Sequence, residues 1–195
     1  MRSRPAEAGF SLIETLIAMI ILVIGIIGVA AMLANGLAYM NASQAEYIAQ
    51  QKAAEAVESI FTARDIGQTT WSSICNAGQI NVCANGIFLL GPMPLCGPGP
   101  DGIIGTADDF NGNSCAGGLY AQPDAILLPN NAGNLNPPQR LNLSTFTRTI
   151  TFAPVLDPGG NTIANLRQIT VTINYSSGNF KNLSYTLTAY ISNVS

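Results

Sequence analysis

Histidine is absent from this 195-residue chain, and charge of either sign is scarce. Without histidine there is no imidazole base, no His-ligated zinc and no histidine pH switch. Lys and Arg number 8 against 11 Asp and Glu, and charged residues make up 10% of the chain. An ordinary soluble domain carries about 25%. A pI near 4.7 leaves no basic stripe to track a phosphate backbone, so no nucleic-acid partner is expected. Hydrophobic residues reach 48%, the opposite of the disordered signature. Proline is missing from Phe10 to Thr62, so nothing there forbids a long helix. The length allows one ordinary domain plus an appendage.

Charge is low partly because one segment has none. From Leu16 to Ala34 the chain reads LIAMIILVIGIIGVAAMLA, 19 residues without a polar side chain. About 20 apolar residues span a bilayer as a helix. A buried core helix is the competing reading, but such helices rarely run this long without one polar residue. The run exceeds the ~7–15 residues of a secretory signal peptide's apolar region, and no small-x-small cleavage site follows. Arg2 and Arg4 precede it, and no Lys or Arg follows until Lys52. The positive-inside rule therefore places residues 1–9 in the cytoplasm and the chain beyond about residue 35 outside. Glu14 sits among Phe10, Leu12, Ile13, Leu16 and Ile17. A charge deep in a membrane helix costs about 2.5–3.5 kcal/mol and is usually functional. A carboxylate at headgroup level can instead reach water.

The stretch Gly9-Phe10-Ser11-Leu12-Ile13-Glu14-Thr15-Leu16 resembles the processing signature of type IV prepilins and pseudopilins. A short basic leader ends in Gly9, Phe10 follows, Glu14 is fifth from the implied new terminus, and an apolar run comes next. With Gly25 and Gly28 in that run, the segment looks most like a minor pilin. The resemblance implies chemistry done to this protein. A prepilin peptidase would cut between Gly9 and Phe10 and N-methylate the Phe10 amine, and the apolar run would stay on the product. It also implies an assembly role for Glu14, meeting the N-terminal amine of a neighbouring subunit so that each charge offsets the other's desolvation. The intrachain alternative pairs Phe10 and Glu14, which are i and i+4 on one helix face.

Beyond the apolar run, residues 35–62 are rich in Ala, Glu and Gln, all good helix formers. Leu37, Met40, Ile48, Val57, Ile60 and Phe61 recur mostly by threes and fours, with Ala filling the gaps. Glu46, Lys52, Glu55 and Glu58 are expected to face water or a neighbour. A continuous helix over 10–62 would be about 80 Å long.

Residues 63–143 are Gly-, Pro- and Asn-rich, as in GPMPLCGPGPDG and PNNAGNLNPP, and read as loops. All four cysteines (Cys75, Cys83, Cys96 and Cys115) fall here, outside the cytoplasm, where disulfides persist. Of three pairings, Cys75–Cys83 with Cys96–Cys115 closes the most local loops. A four-thiolate zinc site is the competitor, but the spacing contains no CxxC. Asp101, Asp108 and Asp109 lie within nine Gly-bearing residues, a set suited to calcium, which takes six to eight oxygens. The order is not that of an EF-hand. The competing reading is a surface loop using Asp and Gly for its turns. No other cofactor is expected.

The last fifty residues alternate with period two over 145–152, 168–175 and 183–191. Ile169, Val171, Ile173 and Tyr175 share one face, as do Leu183, Tyr185, Leu187, Ala189 and Ile191. Ser176-Ser177-Gly178-Asn179 reads as the turn between the last two strands. One apolar sheet face needs a cover, and the helix stripe can supply it.

The expected fold is therefore α+β and type IV pilin-like. Residues 1–9 form a leader that is removed. Residues 10–62 form a helix, membrane-spanning over about 12–34 and amphipathic after. Residues 63–143 are a loop-rich, disulfide-clamped region, and 144–195 an antiparallel sheet. The implied function is a minor-pilin subunit of a type IV pilus. It would sit as a single-pass protein of the bacterial inner membrane with a periplasmic head, then in an extracellular or periplasmic filament. Its partners would be prepilin peptidase, other pilin subunits and the assembly machinery. The alternatives are a type II secretion pseudopilin or a pilus-tip binding module. An enzyme is not expected, because no nucleophile–histidine pairing can form and nothing supports an Asp108–Asp109 dyad.

Overall fold

The computed structural model describes residues 11–79, 83, 85–117, 123–127 and 140–193. Helix α1 spans Leu12–Asp65. The chain divides into two compact units after Asn41, each described by itself.

The first unit is the apolar part of α1. Its 18-residue window has mean hydropathy 3.1, and none of that window is buried within the chain. Leu16, Ile20, Ile24, Ile27 and Leu33 all stand open. A helix this apolar on every side and covered by none of the described residues is a lipid-facing or helix-facing element.

Among its described residues the second unit holds the rest of α1 and the strands β1 (Met93–Pro94), β2 (Phe110–Asn111), β3 (Ser114–Cys115), β4 (Ala125–Leu127), β5 (Arg140–Asn142), β6 (Thr147–Leu156), β7 (Thr162–Ser177) and β8 (Phe180–Ser192). The main sheet has the order β1-β6-β7-β8 and is antiparallel throughout, while β2–β3 and β4–β5 form separate pairs. The three long strands are those the alternation predicts. The short fourth, β1, comes from the Gly/Pro-rich region, which carries no period to announce it.

Register follows from the hydrophobic face. Ile150 pairs with Val171 and Val171 with Leu187, and Phe152 pairs with Ile169. This row faces inward. The row one residue over pairs Thr149 with Thr172 and Thr172 with Thr186, facing outward. A slip of one residue would exchange the two rows.

α1 covers the inner face with Ala45, Ile48, Ala49, Lys52, Ala53, Ala56, Ile60 and Ala63. These join Ile150, Phe152, Ile169, Val171, Ile173 and Ile191 in one core. The buried stripe is mostly alanine, so the alanines are the contact face rather than gap-fillers. Leu37 and Met40 are exposed, and Val57 and Phe61 only flank the core. Small side chains let the helix backbone lie close to the large residues of the sheet.

One expectation is overturned. Lys52 does not face water. It is 7% exposed, with its Nζ 2.7 Å from Glu55 and 2.8 Å from Asp124. The helical period put Lys52 on the buried stripe, and a carboxylate from a distant loop makes that position tenable.

Candidate functional site: the helix start and the acidic loop

At its start α1 is capped by Ser11. The Glu14 amide lies 3.4 Å from Ser11 Oγ and donates to Ser11 O at 3.0 Å, while the Thr15 amide donates to Ser11 O at 3.3 Å. Ser11-Leu12-Ile13-Glu14 has the order of a capping box, a cue within the motif that sequence reading passed over. The Glu14 carboxylate makes no hydrogen bond or ion pair among the described residues, and the residue is exposed. An unpaired carboxylate in the first helical turn sits where the backbone N–H groups favour negative charge. The would-be cleavage pair, Gly9 and Phe10, lies outside the described residues, as does the Phe10–Glu14 alternative.

In the second unit the cysteines pair as Cys75–Cys83 and Cys96–Cys115. All four thiols are consumed, which removes the zinc reading. The first loop is tied down further by Asn76 and Arg167. Arg167 Nη1 donates to Ile74 O at 2.7 Å and also to Trp71 O, with its guanidinium 4.1 Å from the Trp71 ring centroid. The second disulfide holds the base of the acidic loop.

That loop is built by a few residues in named roles. Gly102 (φ 72°) and Gly105 (φ 97°) supply left-handed turns, and Ala107–Asp109 forms a 3-10 turn. The three carboxylates converge, with one oxygen from each of Asp101, Asp108 and Asp109 within 4.8 Å of the others. Asp109 is fully buried. Its Oδ1 accepts from the Gly99 amide at 2.5 Å and its Oδ2 from the Gly105 amide at 2.6 Å. Thr106 Oγ1 lies 3.0 Å from Asp101 Oδ2 and 2.6 Å from Asp108 Oδ1. The Ile103 amide donates to Asp101 Oδ1 at 2.8 Å and the Asp101 amide to Asp108 Oδ2 at 3.2 Å. The Ile104 amide reaches Ser59 Oγ on α1 at 3.0 Å, and Gln68 Nε2 donates to Asp101 O.

The electrostatics follow from burial. Burial pushes Asp109 up to about 6, against the opposing hydrogen bonds of Gly105 and Gly99. Burial also raises Asp101. At Asp108 burial acts in the same sense, but the hydrogen bonds from Thr106 and Asp101 outweigh it and lower the pKa. Beneath the loop lies a buried cation. Arg148 is 3% exposed and donates from Nη2 to Cys96 O at 3.1 Å, while Nη1 has no hydrogen-bond partner among the described residues. Burial lowers its pKa, opposed by the charges of Asp124, Asp109 and Glu55. Burial would lower Lys52 too, but its bonds to Asp124 and Glu55 hold it above the ordinary value. Glu55, Lys52, Asp124, Arg148 and Asp109 thus alternate in charge from the helix to the loop.

Residues 4–30 match the family model described as the prokaryotic N-terminal methylation motif. The chain carries a prepilin-type methylation motif. The motif supports the type IV prepilin and pseudopilin family, whose members are structural rather than catalytic. It implies processing by prepilin peptidase and assembly with other pilins, and with the apolar helix it is consistent with membrane anchoring. No curated protein and no solved structure matches the chain.

The structure brings the three aspartates together and, among the described residues, gives the Glu14 carboxylate no partner. Thr106, Gly99, Gly105 and Ser59 were missed because they act through amides and hydroxyls. Only the Asp/Gly density of 99–109 pointed at the loop.

Proposed function

We propose that this chain is a minor-pilin subunit of a type IV pilus, cut between Gly9 and Phe10 and methylated on the Phe10 amine. The observation that carries this reading is the matched motif at residues 4–30, which includes the start of a helix whose apolar window no described residue covers. Residues 1–9 are the cytoplasmic leader. Residues 12–34 cross the inner membrane, and the second unit is the periplasmic head. During assembly the apolar helix exchanges lipid for neighbouring subunits' helices, where small residues such as Gly25 and Gly28 permit close approach. Glu14 then receives the N-terminal amine of a neighbour. Among the described residues its carboxylate has no partner, which supports this, since that charge needs a partner once lipid or protein surrounds it. Shearing filaments from the native host tests the reading. Wild-type chain is expected in the sheared fraction and Glu14→Ala in the membrane fraction. Recovery of both only in membranes would contradict assembly.

The finer reading of the acidic loop is a calcium site held by Asp101, Asp108 and Asp109. Three carboxylates within 4.8 Å repel one another, and a hard divalent cation relieves that repulsion. Four of the carboxylate oxygens accept a backbone amide, while Asp101 Oδ2 and Asp108 Oδ1 share the single Thr106 hydroxyl proton, leaving lone pairs for an ion. A melting temperature unchanged by chelation and by added calcium would remove this reading.

A further inference from the structure

The two edges of the main sheet are treated differently. At the β6 edge, β1 pairs with Arg148 and Thr147. Further along, the Asn76 side chain donates to Ile150 O at 2.7 Å and accepts from the Phe152 amide at 3.0 Å. That edge is covered from Thr147 to Phe152. Among the described residues β8 pairs with β7 alone.

The outward-pointing groups of β8 follow from its register. The Asn193 amide donates to Asn165 O at 3.0 Å, one step beyond the Leu166–Ser192 pair. Hydrogen-bonded pairs in an antiparallel ladder alternate, so Leu183, Tyr185, Leu187, Ala189 and Ile191 turn their backbone groups toward β7. Ser184, Thr186, Thr188 and Tyr190 turn theirs outward. An edge left open by the described residues is a template for another strand, and proteins usually blunt such an edge with charge, proline or a bulge. From Leu183 to Ser192 there is no charged residue and no proline, and no register shift.

We infer that the β8 edge is a strand-addition site that takes an extended, uncharged segment of a partner protein, alternating apolar and polar residues. Main-chain bonds to Ser184, Thr186, Thr188 and Tyr190 supply affinity. The inner row of β8 is only partly covered at Leu183, Tyr185 and Leu187, so alternate apolar side chains of the incoming strand complete the core edge. Its outer row is hydroxyl-bearing and neutral, so a charged strand would lose water there without gaining an opposite charge. A second copy of β8 fits the chemistry but not the assembly. Twofold pairing about the sheet normal reverses one copy's α1, whereas subunits anchored in one membrane run the same way. That exclusion rests on the proposed function; the edge itself does not.

The test uses the full chain in detergent micelles and a capped synthetic peptide of residues 182–192, which is uncharged and alternates correctly. Amide exchange of Ser184, Thr186, Thr188 and Tyr190 is expected to be fast in the chain alone and to slow on adding excess peptide, and a scrambled peptide should have no effect. Thr186→Pro removes an outward N–H and spares the β7 ladder. It should keep the fold and weaken peptide binding by roughly tenfold or more, the scale of one lost hydrogen bond plus the ring's intrusion. Thr188→Pro serves if Thr186→Pro does not fold. Unchanged exchange at the four outward amides, or equal binding by the proline variants, would overturn the inference.

Discussion

Asn76 acts as a one-residue strand beside Ile150 and Phe152. Its amide donates to the Ile150 carbonyl at 2.7 Å and accepts from the Phe152 N–H at 3.0 Å. The residue is fully buried and follows Cys75, so the Cys75–Cys83 disulfide holds the side chain against the sheet edge.

Replacing this side chain should therefore be costly. Asn76→Ala strands two buried backbone groups, each worth about 1–3 kcal/mol when left unpaired. We expect a loss of about 2–5 kcal/mol in denaturant unfolding of the full chain. A loss below about 0.5 kcal/mol, the size of an ordinary surface change, would mean water replaces both bonds.

Lys52→Ala leaves Asp124 without its 2.8 Å partner in a half-buried site. Removing one member of such a pair costs about 3–5 kcal/mol, whereas replacing both by apolar residues is often neutral. The double variant Lys52→Met with Asp124→Leu should accordingly recover most of the stability that Lys52→Ala loses. A double variant as unstable as the single one would contradict the pairing.

The alanine stripe makes a sharp positional prediction. Ala53 is fully buried and Ala54 is exposed. Ala53→Leu should overpack the helix–sheet contact and cost about 1–3 kcal/mol. Ala54→Leu should lie within about 0.5 kcal/mol of wild type. Equal effects would place the helix in another rotation.

Much of this fold is legible in the sequence. Period-two alternation sets the faces of β6, β7 and β8, because each strand buries one face only. Proline-free apolar chain sets α1, and the disulfides form between neighbours along the chain. The contact stripe on α1 was half legible: Ile48 and Ile60 lie on it as their spacing predicts, but its alanines were not legible, since alanine is neutral in hydropathy and shows its purpose only when a sheet lies against it. Nor were Asn76 with Ile150, or Lys52 with Asp124. Their partners lie 74 positions away in the first case, and no local pattern encodes such a meeting. The acidic loop was half legible: aspartate density gave the acids, and topology supplied the amides of Gly99 and Gly105.

Asp109 gives the loop a pH signature. Its folded pKa of about 6 lies above the ordinary 3.8, so the folded chain holds the proton more tightly than the unfolded chain. That contribution is present below the ordinary value and is lost as pH rises through about 6. Without calcium, wild type should lose melting temperature relative to Asp109→Asn between pH 4 and 6. A difference constant across that window would place Asp109 in water. If the loop holds calcium, the ion should raise the wild-type melting temperature more above this window than below it.

The most direct test of the central claim is the intact mass of the chain from cells with and without prepilin peptidase. The account predicts a product beginning at N-methyl-Phe10 only when the peptidase is present, with the apolar helix retained. A chain that keeps residues 1–9 in peptidase-bearing cells, or is cut elsewhere, would contradict it.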